Sequence, residues 1–429
     1  MSHKNPSSLP VFEKSEGTIG GIVLAFFAGF SSFLPIGMVY LSMLALLAYL
    51  VIQGSLRSRL LCIRDDKFLQ LALVAFLIVP LLSPIWHGHY DQTDTRIFHT
   101  IRVVAVIIVG LSLNDFERRS FLLGILGGSA FVLITIWVDR YFYKIPLIKP
   151  FEDILIVTGN AGSQKMIMLA CVSSFLFWLG LASENKSRLA YFSIALITAT
   201  TIIFHGISRN AYILLAILPA VALVYRFRSI KGLLLSASIM ITIVATVMAT
   251  SKTVQDRVSQ AVSETKNYVN TGVYQSSVDV RAEMMRFAIG KMQEYPITGT
   301  GTGSWALYWK DHASANPSVA GINNPHNDYL LAGMENGIPG LLSIVFLLLY
   351  FAIRNWKAKD KFGGIAFIMT VAIAFSALVN APFRDATLGM SLIFAMAAFT
   401  RPPATVTTRY TPPPPSPAAC RRGRGRPCA

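Results

Sequence analysis

Residues 18–53 read TIGGIVLAFFAGFSSFLPIGMVYLSMLALLAYLVIQ. Two apolar runs, 18–33 and 36–53, are separated only by Leu34-Pro35-Ile36. The proline sets a helix boundary, because the residue before a proline is pushed out of the α region. Each run approaches the roughly 20 residues that cross about 30 Å of hydrocarbon as a helix satisfying its own backbone. The stretch therefore predicts a tight helical hairpin in a bilayer. No small-residue cleavage site follows the first run, so it reads as a span and not as a removable leader.

The pattern continues outward. Hydrophobic residues make up 53% of the 429 and charged residues only 14%, too apolar for a chain that must cover a soluble surface. Further spans are expected near 68–86, 97–113, 119–138, 165–182, 188–205, 210–225, 231–250, 338–354, 363–380 and 385–400. The expected fold is an all-α polytopic membrane protein of about twelve transmembrane helices, with one large non-cytoplasmic loop between the ninth and tenth. Residues 1–250 would hold nine spans, 251–337 the loop domain, 338–400 three spans, and 401–429 a disordered, basic, proline-rich tail.

Orientation follows from Lys and Arg in short loops, which stay cytoplasmic. Arg57, Arg59, Arg64 and Lys67 share one alternate loop. Arg118 and Arg119, Lys186 and Arg188, Arg226, Arg228 and Lys231, and Arg354, Lys357, Lys359 and Lys361 occupy the others on that side. Both termini are expected in the cytoplasm. The net charge of +16 is accounted for mostly by these loops and the tail, so it argues for membrane lipids as neighbours and not for nucleic acid. None of Cys62, Cys171, Cys420 and Cys428 falls in an expected external loop, so no disulfide framework or metal cluster is implied.

Charges at the membrane edge cost several kcal/mol unless paired or wetted, which directs attention to the external side. Arg209 lies in the short connection His205-Gly206-Ile207-Ser208-Arg209-Asn210, against the orientation rule. It is either a functional cation or an arginine snorkelling from a helix end. Within the long loop, Val280 to Tyr295 has helical periodicity, with Asp279 as an N-cap and Met285, Ala288, Ile289 and Met292 on one face. Arg281 falls in the middle of that apolar face, placed for phosphate oxygens, while Arg286 lies beside Glu283 and Gln293 on the outer face.

The helix runs into Pro296-Ile297-Thr298-Gly299-Thr300-Gly301-Thr302-Gly303, whose glycines permit a tight turn but form no nucleotide fingerprint without a preceding strand. Next, Asn324 is expected to cap a short helix beginning at Pro325 and ending at Gly337, with His326 in its first turn. The positive end of such a helix favours a neutral imidazole, which a general base requires. A histidine that merely hydrogen-bonds within a loop is the other reading.

His326-Asn327, nine residues, then Gly337-Ile338-Pro339-Gly340 resembles the signature of the O-antigen ligase and polymerase superfamily. The upstream pattern, an arginine opening a helix and then Pro-x-x-G-x-G-x-G, matches as Arg281 to Gly303. The resemblance covers the long loop closely, and the twelve-span layout is similar to the ligases in particular. It implies a metal-independent, cofactor-free inverting glycosyltransferase in the bacterial inner membrane, with its active site facing the periplasm. The donor would be O-antigen on undecaprenyl pyrophosphate and the acceptor lipid A-core. His326 would be the catalytic base, and Arg209 and Arg281 would bind pyrophosphate. Arg384, Asn327, Tyr329 and Arg286 would be possible substrate contacts, with Asp385 beside Arg384 at the start of the last span.

Trp305, Trp309 and Tyr329 could stack on sugars or anchor at the interface, and Arg102 is expected to snorkel. An O-antigen polymerase would place two substantial external loops, and an O-linked protein oligosaccharyltransferase would run longer. A lipid-linked sugar transporter would show midplane charges, glycine-broken helices and inverted repeats.

Overall fold

The computed structural model describes residues 18–54, 56, 63–142, 159–184, 186–206, 208–271 and 277–401. Every regular element among them is a helix: α1 (Ile19–Ser31), α2 (Ile36–Ile52), α3 (Lys67–Leu82), α4 (Pro84–His87), α5 (Thr93–Leu111), α6 (Asp115–Phe142), α7 (Gly159–Leu181), α8 (Lys186–His205) and α9 (Arg209–Phe227). They continue as α10 (Ile230–Thr250), α11 (Lys252–Thr271), α12 (Ser277–Glu294), α13 (Trp305–His312), α14 (Pro317–Ala320), α15 (Asp328–Ala358), α16 (Lys361–Val379) and α17 (Leu388–Phe399). The expected tail beyond Arg401, with Cys420 and Cys428, lies outside the described residues, as does Cys62. Cys171 is free and buried.

Among the described residues, eight helices are long and apolar enough to cross a membrane: α3 with α4, α6, α7, α8, α9, α10, α15 and α16. The shorter apolar helices α1, α2 and α17 and the 19-residue α5, which carries Asp94, Arg96 and Arg102, complete the set. Each of the twelve expected spans falls on one of these helices, and the chain is an all-α, multi-pass membrane protein. The first hairpin forms as read, with Pro35 immediately before α2.

The bundle is held by helix pairs such as α1 on α6, α7 between α8 and α9, and α15 between α3 and α16, around one apolar core. α10 stands apart, with only about an eighth of its apolar window covered by protein (12%), so most of its surface is left to lipid. The long loop folds into a second, smaller core of Val280, Met284, Ala288, Trp305, Trp309 and Met334, which joins α12 and α13 to the start of α15.

Two helix starts differ from expectation. α12 begins at Ser277, so Asp279 lies in its first turn and is not its cap. α17 begins at Leu388 and not near 385, because the Asp385 carboxylate accepts from Thr387 N at 2.8 Å and Leu388 N at 3.2 Å and holds the chain outside the helix until that point. In α15 the helical geometry breaks at Gly337 (φ 66, ψ −166), as the sequence suggested. There the backbone meets the carbonyls of Pro296 and Ile297, and any Cβ would collide with them.

Candidate active site

His326 does not lie in a helix. Asn327 is the N-cap of α15, its side-chain oxygen accepting from Leu330 N at 3.0 Å. Asn324 instead accepts from His326 N at 2.8 Å, a local turn that leaves His326 at φ 53. A β-carbon at positive φ cannot enter the first turn of a right-handed helix, which is why the expected cap moves three residues on. That conformation costs a non-glycine residue about 1 kcal/mol or more, so the surrounding structure must hold it. Its pKa is lowered to about 4, by burial first and then by the Arg281 guanidinium, with a hydrogen bond to the Asn380 side chain opposing and Arg384 reinforcing the shift. The ring is therefore neutral at pH 7 and able to accept a proton.

Arg281, half-buried on the first turns of α12, also feels Arg209 on the first turn of α9. Burial, then the Arg209 charge, pushes its pKa below the ordinary arginine value. Among the described residues neither arginine forms an ion pair. α9 is started by Ser208, whose hydroxyl accepts from Ala211 N and from the Ser163 hydroxyl at 2.8 Å. Two like charges held close without a carboxylate between them favour a multiply charged anion.

Arg209 also lines a cavity of about 680 Å³ between α9, α10 and α11. Its walls are apolar, with Ala216, Met240, Val244 and Val258 among them, and Lys266 joins Arg209 as its second cation. α11 is amphipathic and turns Val254, Val258 and Val262 to this cavity.

Beneath the His326 loop lies a small cavity of about 70 Å³, where Arg96, His99, Asp328, Glu335 and Arg384 meet an otherwise mostly apolar wall that includes Phe76, Leu331 and Phe383. Arg96 Nε donates to both carboxylate oxygens of Glu335, at 3.0 and 3.2 Å, in a pair that is 5% and 3% exposed. Arg96 Nη2 and Arg384 Nη1 both donate to the carbonyl of Asn323, at 3.0 and 3.2 Å. Arg102 does not snorkel. It is buried, donating to the Tyr40 hydroxyl and to the carbonyl of Arg384, each at 2.8 Å.

Residues 194–345, from α8 to the middle of α15, match the family model Wzy_C, described as O-Antigen ligase. This stretch is similar to the O-antigen ligase family. The match covers about a third of the 429 residues. No curated protein matches the chain.

The matched segment contains Arg209, Arg281 and His326, while Arg96, Arg102 and Arg384 reach the site from outside it. The structure gives several expected contacts other occupations. Asn327 caps α15, and the Tyr329 hydroxyl donates to Ala374 O at 3.0 Å. Arg286 grips Glu283 with Nε at 3.0 Å and Nη2 at 2.8 Å, on a carboxylate that also accepts from the Tyr268 hydroxyl at 2.6 Å and meets His312 Nε2 at 2.8 Å. Trp305 and Trp309 are fully buried and stack on each other, their indole N–H groups donating to Ile322 O and Val319 O, so neither can take a sugar.

The glycine loop of the family segment is a buried strut. Thr300 N and Gly301 N donate to Met334 O and Glu335 O, Thr302 N to the Ser83 hydroxyl, and Thr93 Oγ1 to Thr302 O. Those three backbone donors are spent on protein and do not cradle phosphate. Reading the sequence missed Arg96 and Glu335, whose one signal was an acid inside an apolar run that had to be paired.

Proposed function

We propose that the protein transfers an O-antigen glycan from undecaprenyl pyrophosphate to a hydroxyl of lipid A-core, at the periplasmic face of the inner membrane. The carrying observation is that the Arg281 guanidinium lies within electrostatic reach of both Arg209 and a neutral His326, and that Arg209 also lines the apolar cavity. A polyprenyl donor has that same polarity, a long hydrocarbon chain ending in a diphosphate.

His326 removes the proton of the acceptor hydroxyl as its oxygen attacks the anomeric carbon. The carbon–oxygen bond to pyrophosphate breaks, and the departing undecaprenyl pyrophosphate takes the bonding pair. Arg281 and Arg209 stabilise the charge that develops on it. The proton on His326 then passes to water or to the released pyrophosphate. A displacement with one base and a good leaving group inverts the anomeric centre and needs no second carboxylate of the glycosidase type. Among the described residues, no group of three or more His, Cys, Asp or Glu side chains is arranged to hold a metal ion.

The test is transfer by the purified full chain from a lipid-pyrophosphate donor to lipid A-core, together with the lipopolysaccharide of a deletion strain. The proposal expects bare core and accumulated donor on deletion. Core carrying a single repeat would make the protein a polymerase instead.

A further inference from the structure

The stripe of α11 that faces the large cavity changes character along its length. Val254, Val258 and Val262 recur every fourth residue and line the cavity, and the next residue in that series, Lys266, lines it too. α9 lines the same cavity with Arg209 on its first turn and with apolar side chains such as Ala216 beyond it. α10 adds only apolar side chains, among them Met240 and Val244. A space of about 680 Å³ with hydrocarbon-like walls therefore carries two cations, one from each of two helices. Lys266 is exposed and, among the described residues, forms no ion pair. Its place is nonetheless defined, because Tyr268, two residues on, donates its hydroxyl to the buried Glu283 carboxylate of α12 at 2.6 Å.

A polyprenyl pyrophosphate presents its two phosphates differently to such a space. One is bonded to the prenyl chain and the other to the sugar. With the chain in the cavity, the prenyl-side phosphate is the one that meets cations on the cavity wall. Transfer breaks the bond between the anomeric carbon and the sugar-side phosphate, which takes the bonding pair. The prenyl-side phosphate keeps its single negative charge before, during and after that step. A cation placed on it binds donor, transition state and released carrier lipid alike.

We infer that Lys266 is a substrate-binding residue that holds the prenyl-side phosphate from the α11 wall as Arg209 does from the α9 wall, setting affinity for the carrier lipid without assisting bond breaking. This rests on the reading of the cavity as the site of the donor's hydrocarbon chain. A lysine suits the position, because a compact ammonium on a flexible four-carbon stem can follow a headgroup as its chain slides in along the valines. Its exposure keeps it hydrated while the cavity is empty, so no unpaired buried charge is stored in the absence of lipid. The same exposure limits what the contact contributes to about 10-fold in affinity, the low end for a hydrogen bond to a charged group.

The experiment uses the purified full chain in phosphatidylcholine nanodiscs, as wild type, Lys266→Gln and Lys266→Arg. It reads binding of undecaprenyl pyrophosphate, undecaprenyl monophosphate and undecaprenol, then kcat and KM for the glycan-bearing donor. Lys266→Gln should weaken both phosphorylated lipids about 10-fold, since both carry the prenyl-side phosphate, and leave undecaprenol binding unchanged. Its KM should rise about 10-fold with kcat nearly unchanged, the mark of an interaction that is the same in ground and transition states. Lys266→Arg, which keeps the charge, should lose less than the glutamine variant. Wild-type affinity of Lys266→Gln for the phosphorylated lipids overturns the inference, as does a fall in kcat at constant KM. A loss confined to the pyrophosphate also overturns it, by moving Lys266 to the sugar-side phosphate. So does an effect that vanishes when phosphatidylglycerol is added to the nanodisc, because the lysine would then be reading anionic headgroups in general. A wild-type chain that binds none of the three lipids overturns the donor reading itself.

Discussion

At the scale of single residues, the chemistry depends on how His326 is kept neutral. With its pKa lowered to about 4, the ring is a competent base at any pH well above that value. The acid limb of kcat/KM assigned to His326 should therefore fall near 4, well below the ordinary histidine value of about 6.5. Arg384→Gln removes a positive charge that opposes protonation, so it should move the limb up in pH, visible in profiles of the two enzymes side by side. His326→Ala should slow transfer by about 100- to 10,000-fold, the usual contribution of a general base, while the protein still inserts and unfolds normally. Retention of wild-type transfer in that variant would remove the histidine from the chemistry.

At the scale of elements, α5 and α15 are joined through a buried ion pair, Arg96 with Glu335. Removing one partner strands the other in a poorly solvated place, so Arg96→Ala should lower stability by about 3–5 kcal/mol. Replacing both partners with apolar residues, Arg96→Met with Glu335→Leu, should recover much of that loss. Thermal unfolding of the two variants in detergent checks the pattern; equal losses would show that the pairing contributes little.

In the loop module, Glu283 ties α11, α12 and α13 together. Burial alone would raise its pKa, but hydrogen bonds from Arg286, Tyr268 and His312 outweigh burial and hold it at about 2. A carboxylate depressed in the folded state stabilises the fold fully above its unfolded value of about 4.3 and loses that contribution as pH falls toward 2. Glu283→Gln should flatten this acid dependence, as followed by fluorescence of the neighbouring Trp309, whose ring lies 5.5 Å from that of His312.

At the scale of the molecule, the large cavity between α9, α10 and α11 should govern donor affinity. Val244 lines it from α10, the helix most open to lipid, and is 46% exposed. Val244→Trp should fill space there without disturbing the core. It should raise KM for a polyprenyl donor about 10-fold, or ~1.4 kcal/mol, while leaving the unfolding temperature in place. An unchanged KM would place the lipid chain elsewhere.

The bundle itself was legible in the sequence because bilayer thickness fixes the length of each apolar run, and every expected span has its helix. His326, Arg281 and Arg209 were legible because polar groups at a membrane edge stand out against apolar surroundings. The cap of α15 was misplaced because Asn324 and Asn327 are equally good caps by type, and only the φ of His326 separates them. The tryptophans looked available for sugar because their burial depends on α12 and α14 folding over them, which no local pattern records. Arg96 acts on a loop more than two hundred residues away along the chain, a distance no short motif spans.

Hydrogen bonds at Asn323 and Asp328 attach the histidine loop to α5 and to the 380–387 connection, both parts of the bundle. α11, by contrast, packs among the described residues mainly on α10 and α12 and meets Glu283 through the Tyr268 hydroxyl. Under the proposed function, the donor chain would therefore lie against α11 while the base is held by the bundle, so a change in α11 should alter KM and leave the chemistry at His326 in place.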